Sequence, residues 1–328
     1  MRILLTGASG FLGSHIAEQL DQQGADVRAL VRPTSDTRFL EGLEHVTLLS
    51  GAMSDEGSLL AATKGVDGII HAAGLVKARS PADFYWTNEQ GTANLLKAAK
   101  QNAPDIERFV LVSSLAVMGP SEDGRPIPAG APPSPVTHYG RSKLAAEQAA
   151  RAEVHSLPIT IIRPPMIYGP RDREILPFFK SVQLGVLPLT GSPGSRLSAI
   201  YATDCAAACI KALGANVPSG SRYFIEDGRL ETLGGLIGHI ENALGRRAWL
   251  RVPVPRFLMY GAALASELYG RVRGRAVMLT RDKLNELLAP HWVCDSAEAQ
   301  VALGWKPRVS FGEGTRITGA WYRREGWL

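Results

Sequence analysis

Tyr139 and Lys143, in the stretch His138-Tyr139-Gly140-Arg141-Ser142-Lys143, stand four residues apart. On a helix that spacing puts a phenol and an ammonium on one face, within reach of a common ligand. A free tyrosine titrates near ~10, too high to exchange protons readily at neutral pH. A cation held beside it favours the phenolate, and a shift of about three units corresponds to roughly 4 kcal/mol. Such a pair would make the tyrosine a usable general acid or base. The spacing is common by itself and gains its meaning from the residues that precede it.

The chain opens on a short apolar run, Ile3 to Leu5, followed at once by Gly7, Gly10 and Gly13; Leu12, Ile16 and Leu20 then mark one helical face. Strand, glycine turn and helix in this order suit a dinucleotide. The glycines permit a tight turn, close approach to a diphosphate and close helix–strand packing, and the helix N-terminus supplies amide donors. The loop Gly7, Ser9, Gly10, Phe11, Leu12 and Gly13 is therefore a candidate cofactor cradle; the competing reading is a plain βα turn with spare glycines. Val27 to Val31 is the next apolar run, and Arg32 follows it. An NAD enzyme carries a carboxylate at about this distance past the loop, for a ribose 2′-hydroxyl. A guanidinium instead grips a 2′-phosphate with two donors. Arg32, helped by Ser35 and Arg38, leans the chain toward NADP, with NAD still possible if the arginine only stacks on adenine.

These groups need a scaffold, and strand-like and helix-like segments alternate along the first half. Strands are predicted at Val46–Leu49, Gly68–His71, Phe109–Val112 and Pro158–Ile162, and helices near Glu56–Thr63, Thr87–Gln101 and Tyr139–Ala152. That alternation predicts an α/β protein, a Rossmann doubly wound parallel sheet with helices on both faces. Each motif falls at the carboxyl end of a strand, where such sheets bind ligands. After Arg163 the pattern changes to a Pro- and Gly-rich stretch, then helices at Asp204–Leu213 and Thr232–Leu244 around a strand at Tyr223–Glu226. The expected division is residues 1–164 for the dinucleotide and 165–328 mainly for a smaller C-terminal substrate lobe, with segments crossing back.

Composition excludes several classes. With 328 residues, 45% apolar, the chain can bury a full core. A net charge of +5 with scattered Lys and Arg reads as a solvated surface rather than a nucleic-acid footprint. Three cysteines, Cys205, Cys209 and Cys294, are too few for a disulfide frame and lack metal-site spacing. No apolar run approaches the ~20 residues of a spanning helix. Residues 3–5 already belong to the first strand, so no signal peptide is expected and the cytoplasm is the default location.

Several further motifs occur in order: His71-Ala72-Ala73-Gly74, Asn88-x-x-Gly91-Thr92-x-Asn94, Ser113-Ser114 and Arg163-Pro164-x-x-Ile167-Tyr168-Gly169-Pro170. With Thr6-Gly7-x-x-Gly10-x-x-Gly13 and Tyr139-x-x-x-Lys143 they resemble the extended short-chain dehydrogenases/reductases, in the epimerase/dehydratase/3β-hydroxysteroid dehydrogenase group. The tail motifs Trp292-Val293-Cys294-Asp295 and Leu303-Gly304-Trp305 fit as well. The resemblance implies Ser114, Tyr139 and Lys143 as the catalytic set, with Ser113 the alternative serine. It implies that Ala72, Ala73 and Gly74 pass beside the cofactor ribose and diphosphate, and that Pro164 and Ile167 hold the nicotinamide carboxamide. Met53 stands where relatives often place an aspartate facing adenine. Asn88 either bends its helix and holds a relay water or is an ordinary buried asparagine, and His71 reads as a satisfied strand-end histidine. A homodimer packed through the helices near 88–101 and 139–152 is also implied.

Leu115 and Ala116 follow Ser114, where the sugar-nucleotide dehydratases of this group carry carboxylates, so dehydration is disfavoured. Leu115, Val117, Met118 and Met166, with the apolar segment Pro253 to Tyr260, favour NAD(P)-dependent redox at a secondary alcohol or ketone of an apolar substrate, steroid-like or otherwise hydrophobic. Those residues could equally just pack the lobe. A nucleotide-sugar 4-epimerase, using Arg171, Arg173 or Arg196 for a diphosphate, and a non-catalytic NADP-binding sensor are the alternatives.

Overall fold

A computed structural model describes the whole chain except Ala129 and Thr190. Seven strands form one parallel sheet: β1 (Arg2–Thr6), β2 (Asp26–Val31), β3 (Val46–Ser50), β4 (Gly68–His71), β5 (Arg108–Val112), β6 (Ile159–Arg163) and β7 (Ser221–Phe224). Their order is β7-β6-β5-β4-β1-β2-β3, so the chain reverses its direction of winding at β1. The central strands are apolar on both faces, as a sheet covered on both sides requires. Ile3 and Leu5 of β1 join one cluster with Val27, Ala29, Ile70, Val110 and Ile162; Leu4 joins the other with Leu30, Ile69, Phe109 and Ile161. This is the two-residue period of a strand. Each such leucine or isoleucine contributes roughly 1.5–3 kcal/mol by leaving water.

Helix α1 (Phe11–Gln22) covers the first face, and helices α2 (Glu56–Thr63), α3 (Gly91–Asn102) and α4 (His138–Ala152) supply the second. A fifth helix, α5 (Ala202–Leu213), packs beside α1. Both α5 and β7 follow residue 165, so later segments do return to the sheet. Cys205 and Cys209 lie buried in α5. The last part of the chain is anchored to α5 through Asp204, whose carboxylate accepts from the amides of Arg308 and Val309 at 2.9 Å each.

The segment expected as one helix over 87–101 is more complex. It starts at Pro81, where Ser80 and Asp83 form a reciprocal cap, and passes through a π-helical turn at Tyr85–Gln90 before α3. The cause is tertiary. Asn88 is pulled out of register by the backbone of Leu75, accepting from its amide at 2.7 Å and donating to its carbonyl at 3.1 Å. Its amide also donates to Ser142 Oγ at 2.9 Å, which ties the bulge to α4.

A separate cluster, with Tyr168, Phe179, Phe311 and Tyr322 at its centre, holds together helices Leu176–Leu184, Leu233–Leu244 and Phe311–Arg324. Two further helices, Arg256–Arg273 and Arg281–Leu287, meet through Met259, Ala263 and Leu284.

Candidate active site

The glycine loop closes over the end of β1. Gly7 has φ +75° and a Cβ there would lie 2.5 Å from the amide nitrogen of Ala73; a Cβ on Gly13 would run into the carbonyl of Gly7. Both positions exclude every larger residue. Gly10 caps α1 without a side chain, and the first turn holds no acidic residue. Its amides and the positive end of the helix dipole are thus available to an anion. Arg32, at the end of β2, is exposed, and among the described residues no carboxylate forms an ion pair with it. Arg38 is different: it forms an exposed ion pair with Asp36 at 2.8 Å. Ser35 turns its amide back onto the Arg32 carbonyl at 2.9 Å.

Beside the loop, β4 ends at His71, whose Nδ1 meets Thr6 Oγ1 at 2.6 Å and whose Nε2 meets Thr92 Oγ1 at 3.0 Å. Burial, with help from the Lys143 charge, pushes its pKa down to about 3, so the ring is neutral and fully occupied. Ala72 and Ala73 then bond to Thr6. A Cβ on Gly74 would lie 3.1 Å from Asn88 Oδ1 and 3.4 Å from Lys143 Nζ. Met53 packs over Gly91, and its carbonyl accepts from Asn94 at 2.9 Å.

The two serines after β5 part company. Ser113 is buried and donates to Glu147 Oε1 at 2.5 Å, and the same carboxylate holds buried Arg163 at 2.6 Å. Ser114 turns the other way. It starts the short 3-10 turn Leu115–Val117, its Oγ accepting from the amide of Ala116 at 3.1 Å. Thr137 caps α4 by accepting from the amide of Gly140 at 3.1 Å. A Cβ at Gly140 would sit 2.5 Å from the carbonyl of Ala116, so this glycine lets α4 press against the turn and brings Tyr139 to Ser114.

Tyr139 departs from the expectation of an acidified phenol. Burial pushes its pKa up to about 12, against a downward pull from the hydrogen-bonded Ser114 hydroxyl. Lys143 lies one turn on, but its Nζ donates to the carbonyl of Val112 at 2.7 Å. Burial lowers its pKa to about 8, with the Glu147 charge acting upward. The phenol is therefore a protonated donor at neutral pH, beside a lysine still mostly charged.

The sequence profile of the NAD dependent epimerase/dehydratase family matches residues 3–225. The chain belongs to that family. It is 32% identical to a ceramide reductase of Caulobacter vibrioides, over 99% of this chain and 96% of the other. Identity to a 2-alkyl-3-oxoalkanoate reductase of Stenotrophomonas maltophilia is 28%, over 96% and 98%. Among solved structures, a dTDP-glucose 4,6-dehydratase of Streptomyces venezuelae with NAD superposes with a TM-score of 0.82 at 26% identity, over 100% and 99%. This family member is an NAD(P)-dependent oxidoreductase of the extended short-chain dehydrogenase/reductase type.

Two groups beside Tyr139 escaped the sequence reading. Glu147, one turn past Lys143, holds Arg163 and Ser113 under the site; its spacing was visible, its burial was not. Helix Arg281–Leu287 crosses the start of α4, with Asp282 accepting from the amide of His138 at 2.9 Å. The charge of Glu286, from the same helix, adds to the upward shift of Tyr139. Nothing local links residues more than 140 apart. Leu115, Val117 and Met118 prove to be core, packed with Phe224 and Cys294, rather than open pocket wall. Pro164 supplies a carbonyl to the amide of Leu115 at 2.8 Å, and Ile167 lies half-buried in the strand Met166–Tyr168.

Proposed function

We propose that this protein is an NADP-linked reductase of ketones on small apolar substrates, running in reverse on the corresponding secondary alcohols. One observation carries the reading: Tyr139 is a protonated phenol beside Ser114 and Lys143, and the residues after Ser114 are Leu115 and Ala116, without titratable groups. The names of the ceramide and alkyl-oxoalkanoate reductases agree with an apolar ketone.

The residues fit the cofactor. The cradle made by Gly7, Ser9, Gly10, Phe11, Leu12 and Gly13 would take the diphosphate, Arg32 the 2′-phosphate and Met53 the adenine side. Ala72, Ala73 and Gly74 would flank the ribose, with Lys143 Nζ 3.4 Å from the Cβ that Gly74 lacks. Pro164 and Ile167 would bound the nicotinamide. Once bound, the cofactor supplies a hydride for the carbonyl carbon. Tyr139 gives its phenolic proton to the carbonyl oxygen, and the neighbouring Lys143 ammonium makes that transfer less costly by stabilising the phenolate left behind. Ser114 donates a hydrogen bond to the same oxygen as negative charge builds there, a contribution typically worth about 3 kcal/mol.

The epimerase reading loses one of its three candidate diphosphate ligands, Arg171, to an ion pair. Arg171 is bound to Glu18 at 2.8 Å, Arg173 lies over the Trp327 ring at 4.8 Å, and Arg196 reaches the carbonyl of Gly124 at 3.3 Å. The proposal includes a homodimer through α3 and α4, a Rossmann unit over 1–164 and a mainly substrate-binding lobe over 165–328, from which α5 and β7 cross back to the first domain. The test follows NADPH absorbance with long-chain ketones, steroids and nucleotide sugars. Consumption with apolar ketones is expected; interconversion of sugars without consumption would overturn the reading.

A further inference from the structure

Helix Arg256–Arg273 presents its greasier side to solvent. Only Met259, Ala263 and Gly270 are buried. At 3.6 residues per turn, Phe257, Leu258, Leu264, Leu268, Tyr269 and Val272 share an uncharged arc of about 140° on the opposite side. These side chains are strongly exposed, Phe257 at 72% and Val272 at 84%. Ahead of the strand Leu250–Pro253 that leads into the helix, Trp249 is 74% exposed, and Leu184, next to the Gly185 that Trp249 packs on, is 73% exposed. An exposed apolar helix face of this kind marks an interaction site.

Its surroundings name the occupant. Seven arginines, at 246, 247, 251, 256, 271, 273 and 275, and one glutamate, Glu267, lie between residues 246 and 275, whereas the whole chain carries only +5. All seven arginines are exposed. Glu267 is bound to Arg281 at 2.9 Å and Arg251 is paired with Glu241 at 2.9 Å, so six of the seven arginines have no carboxylate ion pair among the described residues. On the wheel, Arg271 and Arg273 flank the apolar arc on either side. An apolar face edged by guanidinium groups matches the boundary between acyl chains and anionic headgroups. Such a helix would lie on the surface rather than cross it: among the described residues no helix is long and apolar enough to span a membrane.

We propose that Arg256–Arg273 docks this protein on an anionic lipid bilayer, its apolar face at headgroup depth and its arginines on lipid phosphates. The buried side of the helix packs on Leu284 of Arg281–Leu287, the helix whose Asp282 holds the start of α4 beside Tyr139. Docking therefore places the start of α4 one helix away from the lipid. This deepens the apolar-ketone reading, but lipid binding is measured without turnover, so the two fail separately.

The full chain is floated with vesicles of phosphatidylcholine alone and of phosphatidylcholine with phosphatidylglycerol. Recovery with the anionic vesicles is expected to exceed that with neutral ones at least tenfold and to fall as salt shortens the Debye length. The combined variant Leu264→Glu, Leu268→Glu, Val272→Glu is expected to stay in the soluble fraction, with wild-type melting and wild-type turnover of a short, water-soluble ketone. Arg271→Ser with Arg273→Ser and Arg275→Ser, which touches no buried apolar contact, is expected to lower recovery several-fold. Equal recovery with both vesicles, or a soluble wild-type chain, would overturn the proposal. So would a wild-type dimer that the glutamate variant splits, because the face would then join two copies.

Discussion

Ser113 and Ser114 are adjacent and chemically identical, yet their surroundings predict opposite phenotypes. Ser113→Ala removes a buried hydroxyl that donates to Glu147 at 2.5 Å. A hydrogen bond to a charged group contributes about 1.5–3 kcal/mol. With an unfolding entropy near ~2.1 cal/mol/K per residue, a chain of 328 residues loses roughly 2–4 °C of Tm for that energy. Its kcat/KM should stay within about threefold, since the Ser113 hydroxyl faces away from Tyr139. Ser114→Ala removes a half-buried hydroxyl whose one backbone contact is the amide of Ala116 at 3.1 Å. Loss of a donor at a developing oxyanion costs about 10²–10³ in turnover, while the Tm should move by under ~2 °C. Thermal melts and NADPH oxidation with the best ketone measure both. A fall in activity for Ser113→Ala with Ser114→Ala active would refute the assignment of the two hydroxyls.

Replacing Arg32 by Asp should weaken NADPH binding about 10–100-fold more than NADH binding, the value of a charged hydrogen bond to the phosphate; equal losses by fluorescence titration would remove the NADP preference. Glu147→Gln leaves Arg163 buried without its counter-charge, at about 3–5 kcal/mol, so the Tm should drop by roughly 4–7 °C. The Glu147 charge also holds the Lys143 pKa up, and lysine loses its charge as pH rises through that pKa. Reduction should therefore fall above about pH 8 in the wild type, and the limb should move to lower pH in Glu147→Gln; an unmoved limb would contradict the coupling. Gly13→Ala, whose methyl would strike the Gly7 carbonyl, should abolish cofactor binding in calorimetry even where the protein still folds.

Features written in local patterns were legible from sequence. Helix α2 and strand β4 have the residues predicted for them, Glu56–Thr63 and Gly68–His71, because Asp55 caps the one and an unbroken apolar run makes the other. The other predicted elements of the sheet end within two residues of their predicted bounds. The glycine loop was legible because steric need at Gly7 and Gly13 leaves only one residue type. The π turn at Asn88 was not, since it depends on the backbone of Leu75 and on Ser142, far along the chain. The direction of the Tyr139 shift was missed for a related reason: spacing shows that a lysine is near, but burial decides which protonation state wins. The pairing of Arg38 with Asp36 was likewise not read from the sequence, although the two stand only two residues apart.

The most direct test is Tyr139→Phe, read by stopped-flow reduction of an apolar ketone together with NADPH binding. A general acid contributes about 10²–10⁴ in rate, so turnover should fall by that factor while NADPH affinity stays within about threefold. Turnover retained without the phenolic hydroxyl would contradict its role as proton donor.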